Sequence, residues 1–449
     1  MTIILTRKLY NELLIWKASP DRRPLIIRGA RQVGKSFLIK EFAKNNFQQH
    51  IEINFEQRPE LKAIFESRDS KDILKQLSRI FDVPVEAEKT LLFIDEIQDC
   101  PTAFLALRYF FEQTPEIPVV AAGSLFDFML HEQDSELRVP VGRIEYKFLH
   151  PLSFIEYLAA FGRNGLSEEI KEISLKSPPS ESVHHEALKE FGNYILVGGM
   201  PAAVDAARKS LQGARYQQIQ ASILQTYRDD FRKYSGRVDV DALEKIYRRL
   251  PNFICKKFKY SELYPDGNSR TTKRVLDLFE MARVLTKVMR SSGNGLPLEA
   301  EADSNDYKLL FVDIGLMSNS LQIPAMDLAK WNTDLINSGQ ITEQCVGQEL
   351  LAYSESFRDP RLYYWSREKK GSAAEVDYII GIHGKVFPLE VKAGTTGKLK
   401  SLHSFVDMKS SMLGIRISQQ PLSLFERTLS VPIYAVSALP KVVTEVLSK

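Results

Sequence analysis

The sequence predicts an α/β protein of more than one unit, and three observations lead there. Its 449 residues exceed what one ordinary core organises, which sets an expectation of two or three domains. Near the N-terminus an apolar strand runs through a glycine-containing loop into a helix, and a later apolar strand ends in paired acids. Near the C-terminus a helix, three strands, a helix and further strands follow one another, with carboxylates among them.

Composition narrows the class. A hydrophobic content of 44% and a charged content of 26% are those of a globular protein. The 60 basic and 57 acidic residues leave a net charge of +3, so any nucleic-acid surface has to be a local patch. Cys100, Cys255 and Cys345 are scattered without metal-ligand spacing, which fits a reducing cytoplasm and argues against zinc. The opening "MTIILTRKLYNELLI" has a charged interruption and no small-residue cleavage site, and no apolar run approaches about 18 residues. The expectation is a cytoplasmic protein, neither exported nor inserted in a membrane.

The first element to justify is "RPLIIRGARQVGKSFLIKEFA", a strand (24–28), a loop and a helix with apolar Phe37, Leu38 and Phe42. Gly29, Ala30, Arg31, Gln32, Val33, Gly34, Lys35 and Ser36 match G-x-x-x-x-G-K-[ST]. The glycines let backbone N–H groups curl around phosphate oxygens at a helix N-terminus, where the dipole favours anions. Lys35 is then placed for the β- and γ-phosphates of ATP and Ser36 for Mg²⁺, with Phe37 next to the cradle. In "TLLFIDEIQDCP" a strand ends in Asp95 and Glu96. Asp95 is the expected Mg²⁺ carboxylate and Glu96 the group that polarises the attacking water. The strand "IPVVAAGS" brings Ser124 to the γ-phosphate or that water, and "QHIEINFE" supplies one more strand.

This order resembles the AAA-type P-loop ATPases over roughly residues 20 to 150, where an extra strand separates the phosphate loop from the acidic strand. The resemblance implies that Arg143 acts as an arginine finger, in cis or from a neighbouring copy in a homo-oligomer, against the alternative of an ordinary surface arginine. It also gives "GGMP" (198–201) two readings, a turn closing over the adenine or a plain helix-ending turn.

Residues 151 to 235 have a helical period broken at "KSPPSES" and read as a helical lid. "TYRDDFRKYSGR" reads first as a solvated helix face and second as a DNA contact. From 236 to 320 a helix, a short helix, a Gly-Asn turn and an amphipathic helix precede "VLTKVMRS" and "YKLLFVDIG", which pair as the wing of a winged helix. Ser269 is the expected N-cap, with Arg270, Lys273 and Arg274 in the first turns, a pattern suited to DNA or, with equal weight, to a module used only for packing.

The last unit, 321 to 449, carries the E-x-K triplet of Glu390 and Lys392. The chain repeats this triplet elsewhere, as at 60–62, 169–171 and 368–370, so the spacing alone discriminates nothing. What singles it out is its setting: a helix with Glu349, three strands with Asp377 on the second and Glu390 on the third, then a helix and the strand candidates "LGIRIS" and "VPIYAVS". That order resembles the PD-(D/E)xK nuclease core. The resemblance implies Glu349, Asp377 and Glu390 as ligands of Mg²⁺ or Mn²⁺ and Lys392 as the residue that orients the nucleophile. Asp377 reaches Glu390 only in one register of the two strands, and Pro388 is awkward in a central strand. As a whole the chain resembles a prokaryotic family of AAA-type ATPases whose C-terminal, uncharacterised part holds a nuclease-like core. Two functions remain open at this point: an ATP-driven enzyme coupled to DNA, or a nucleotide-dependent signalling switch or DNA-bound regulator whose nuclease-like part does not turn over.

Overall fold

The computed structural model describes residues 7–132, 140, 142–211, 214–233, 238–323, 338–367, 374–394 and 398–448. The first six residues of the opening stretch and the triplet at 368–370 lie outside them. Strand β1 (Leu25–Arg28) buries Leu25, Ile26 and Ile27 completely, as a parallel strand covered on both faces does. With β2 (Gln49–Asn54), β3 (Thr90–Asp95), β4 (Val119–Gly123) and β5 (Glu145–Phe148) it makes a parallel sheet in the order β2-β3-β4-β1-β5. Helices Lys8–Ala18 and Lys35–Asn46 contribute Leu13, Trp16, Ile39 and Phe42 to one apolar layer. Helices Ser70–Phe81 and Pro101–Gln113 contribute Ile73, Leu77, Phe104 and Leu107 to the other. Because β4 separates β1 from β3, the glycine loop after β1 and the acids after β3 open on the same, carboxyl end of the sheet, where open α/β sheets bind their ligands.

Five helices follow: Phe154–Ala160, Asn164–Glu172, Glu181–Val197, Pro201–Lys209 and Arg215–Lys233. Ser153 and Glu156 close a capping box on the first, and Ser180 caps the third at the end of the polar break. The 215–233 helix differs from the expectation of a solvated face, since Tyr227 and Asp230 on it are buried and turn toward the phosphate loop.

Helices Val240–Arg249, Tyr260–Leu263 and Ser269–Met281 come next. The cap of the last is Asn268, which accepts the Thr271 N–H at 2.8 Å, rather than Ser269; Asn268 has the extended backbone of a capping residue, whereas Ser269 is already the first helical one. Strands β6 (Leu285–Ser291) and β7 (Ala302–Phe311) pair antiparallel. They are not a free wing, because β6 also pairs parallel with β8 (Leu362–Ser366). The hairpin thereby becomes one edge of an eight-stranded sheet, β12-β13-β11-β10-β9-β8-β6-β7. Its other members are β9 (Glu375–Ile382), β10 (Lys385–Val391), β11 (Gly414–Ser418), β12 (Ser423–Phe425) and β13 (Thr428–Pro432). The helix Gly339–Tyr353 covers one face, and Lys400–Met408 packs Phe405 on Trp365 across the other.

Two details settle questions the sequence left open. The β9–β10 turn is His383–Gly384, both at positive φ, the backbone of a two-residue hairpin. Pro388 fits a central strand because the parallel pairing of β10 with β11 begins only at Leu389, one residue beyond the missing N–H. One strand candidate is corrected: after β13, Ile433–Ala438 is a 3-10 turn rather than strand.

Candidate functional site

The phosphate loop is shaped by positions that tolerate no side chain. At Gly29 (φ +155°) a Cβ would stand 2.3 Å from the Leu149 carbonyl oxygen. Gly34 (φ +96°) has Pro201 Cγ 3.3 Å from where its Cβ would be, so the "GGMP" turn sits against the loop while Gly198 caps the helix before it. The turn ends one helix at Gly198 and opens the next at Pro201, which is the plain helix-ending reading. Arg7 Nη1 donates to the Val33 carbonyl at 3.1 Å, and Tyr227 Oη donates to the Arg31 carbonyl at 2.8 Å. Arg31 also pairs with Asp230 at 3.0 Å, and Gln32 takes a left-handed φ of 66°. The loop is therefore held from the N-terminal segment and from the 215–233 helix at once. Phe37 stays half-exposed at the helix start.

Lys35 begins the helix and turns its Nζ back onto the Gly29 and Ala30 carbonyls, at 3.0 and 2.9 Å. Burial pushes its pKa down to about 8, against the favourable pull of Glu96 and Asp95. Ser36 Oγ donates to Asp95 Oδ2 at 2.8 Å, and Asn54 Nδ2 reaches the same oxygen at 3.3 Å. Burial raises the pKa of Asp95, partly offset by the Ser36 hydroxyl. A hydroxyl and a carboxylate at this spacing are hard oxygen donors, and the set fits Mg²⁺.

Glu96, in a left-handed conformation (φ 50°), accepts from Gln98 Nε2 at 2.6 Å and from Ser124 Oγ at 3.4 Å. The sequence singled out Lys35, Ser36, Asp95, Glu96 and Ser124, and the structure gathers them. It missed Asn54 and Gln98. Asn54 is in register with Asp95 on the neighbouring strand, a signal that exists only once the strands are paired. Arg143 is elsewhere in its own chain: it pairs with Glu112 at 3.0 Å, lies over Phe111, and is 43% exposed.

The C-terminal carboxylates distribute differently from the expectation. The hairpin register continues from Leu389↔Tyr378, which puts Asp377 opposite Glu390, and Lys392 Nζ meets Glu390 Oε1 at 2.5 Å. Glu349 is not with them. It accepts from the Phe154 N–H at 2.9 Å and from Tyr194 Oη at 3.0 Å, bracing the helical region, and burial raises its pKa to about 7. The acid that reaches the cluster from the 339–353 helix is Glu343, six positions earlier and on another face of the helix. Burial, then Asp377, drives the pKa of Glu343 up, and the same two causes raise Glu390.

The metal expected there does not fit this arrangement. Lys308 Nζ of β7 occupies the middle of the acids, 2.9 Å from Glu343 Oε1, 2.6 Å from Glu375 Oε1 and 3.7 Å from Asp377 Oδ1. Asp377 Oδ2 accepts the Val391 N–H at 2.8 Å. Among the described residues no group of three or more His, Cys, Asp or Glu is placed to hold a metal ion. Likewise no helix among them is long and apolar enough to cross a membrane.

Residues 21–158 match the family model of an AAA domain. Residues 188–327 and 338–434 match two domains of unknown function, DUF8612 and DUF4143. An uncharacterised protein of Methanocaldococcus jannaschii is 25% identical over 286 residues, 60% of this chain; the chain spans 57% of that protein's length. Similar solved structures include a Walker-type ATPase of Pyrococcus abyssi, 15% identical over 71% of this chain and 96% of that one, with a TM-score of 0.46. AMPPCP-bound DnaA from Aquifex aeolicus is 12% identical over 61% of this chain and 85% of its own, with a TM-score of 0.26. With the matched glycine loop, its helix and the acidic strand end assembled as described, residues 21–158 are similar to the AAA domain family.

Proposed function

We propose that the chain binds Mg·ATP in the loop Gly29–Ser36 and hydrolyses it. The observation that carries the reading is the 2.8 Å link from Ser36 to Asp95 directly beneath the loop, with Glu96 and Ser124 within hydrogen-bond reach of each other. The backbone N–H groups of the loop hold the β-phosphate, and Lys35 leaves the Gly29 and Ala30 carbonyls for the phosphate oxygens. Ser36 and Asp95 hold Mg²⁺, which supplies neutralisation of the phosphate charge. Glu96 accepts a hydrogen bond from the attacking water and orients it in line, while Ser124 donates to the γ-phosphate or to that water. Arg143, exposed in its own chain, acts on the γ-phosphate of a neighbouring copy. The test is ATP turnover by the full chain with and without Mg²⁺, beside nucleotide binding by Lys35→Ala. Metal-dependent turnover in the wild type and lost binding in the variant support the assignment; unaltered binding by Lys35→Ala removes it.

A second reading concerns DNA. Arg270, Lys273 and Arg274 are exposed on the first turns of the 269–281 helix. Apart from a 3.5 Å contact from Lys273 to Asn305, they form no ion pair among the described residues. Cations left unpaired on one helix end suit a phosphate backbone. Replacing all three with alanine should make the salt dependence of DNA binding shallower by about 3 in log K against log salt. An unchanged slope returns this face to solvent.

A further inference from the structure

We propose that Lys308 is the resident cation of the acidic cluster in the eight-stranded sheet, and that this part of the chain operates without a divalent metal. The side chain of Lys308 is 3% exposed and is enclosed by the Tyr364 ring, 5.2 Å from its Nζ. Burial alone would strip its charge; the carboxylates of Glu343, Asp377 and Glu375 outweigh that and hold it protonated. A buried ammonium persists only when paired in this way.

The other positions are filled by the same logic. Lys257 takes the second oxygen of Glu375 at 2.9 Å, and Lys392 takes Glu390. Against four carboxylates stand three lysines, and the residual acceptor is Oε2 of Glu390, buried and without a partner among the described residues. One proton in the cluster balances it. A divalent ion such as Mg²⁺ needs about six oxygen ligands at about 2.1 Å, and Lys308 stands where those ligands would have to converge.

The source of the cation is informative. The acids Glu343, Glu375, Asp377 and Glu390 fall inside the region 338–434, whereas Lys308 and Lys257 come from the region 188–327. Neither region is electrostatically complete alone. The continuity of β6 and β7 with β8 is the structural expression of that dependence, and it makes Lys308 the ion that joins them.

The experiment is a manganese(II) titration of the nucleotide-free full chain, followed by the loss of the free-ion paramagnetic resonance signal. Wild type and Asp377→Asn should titrate identically. Lys308→Met should bind one additional Mn²⁺ per chain, and adding Asp377→Asn to it should abolish that gain. A wild type that binds one Mn²⁺ more than Asp377→Asn overturns the proposal, and this comparison decides even where Lys308→Met fails to fold. A folded Lys308→Met chain that gains no ion overturns it as well.

Discussion

Lys35 shows how one buried side chain sets a measurable dependence. In the free protein its ammonium is desolvated against two carbonyls and titrates at about 8. Bound phosphate favours the charged form, so nucleotide binding raises this pKa. Above pH 8 the free lysine is neutral and binding must take up a proton; below it, no uptake by Lys35 is needed. Affinity for ATP should therefore fall as pH rises past 8, by at most about tenfold per unit for one proton. Calorimetry at pH 9 in two buffers of different ionisation enthalpy should show the uptake, and equal heats would contradict it. Residue identities were legible here because the loop motif fixes chemistry by spacing alone. Glu349 differs from the expectation for a complementary reason: a helix carries acids on several faces, and only packing decides that Glu343 meets Lys308 while Glu349 meets Tyr194.

At the scale of elements, the turn between helices 181–197 and 201–209 ties the phosphate loop to the C-terminal half. Pro201 touches the loop at Gly34, and the Gly199 N–H donates to Asp313 Oδ2 at 2.6 Å. A Cβ on Gly198 (φ +72°) would stand 2.2 Å from Asp313 Oδ1 and 2.7 Å from the Gly315 nitrogen. Gly198→Ala should therefore cost about 3 kcal/mol or more in stability. Gly165→Ala, in open space near the start of a helix, should be neutral or stabilising by up to about 1 kcal/mol. Thermal unfolding of the two variants checks the contrast; equal midpoints would contradict it. Strand identities in the sequence came from alternation and apolar runs, and the hairpin turn from its glycine. The membership of β6 and β7 in the large sheet was not legible, because local pattern specifies that two strands pair and not which third strand pairs with them.

For the whole molecule, one apolar cluster extends from Leu9 to Val443 through the helical region, so the regions matched separately share a core. The role proposed for Arg143 requires a second copy. If it acts in trans, turnover per chain should rise with protein concentration, and Arg143→Ala should bind ATP normally while losing most of its turnover. A rate independent of concentration, with an unaffected variant, would confine Arg143 to its pair with Glu112. Hydrolysis of ATP bound at Gly29–Ser36 is proposed to depend on Glu96. Its most direct measurement is the identity of the nucleotide retained after rapid desalting of chains mixed with Mg·ATP. The wild type should retain ADP and Glu96→Gln should retain ATP at similar occupancy; ADP on Glu96→Gln at the wild-type rate would contradict the account.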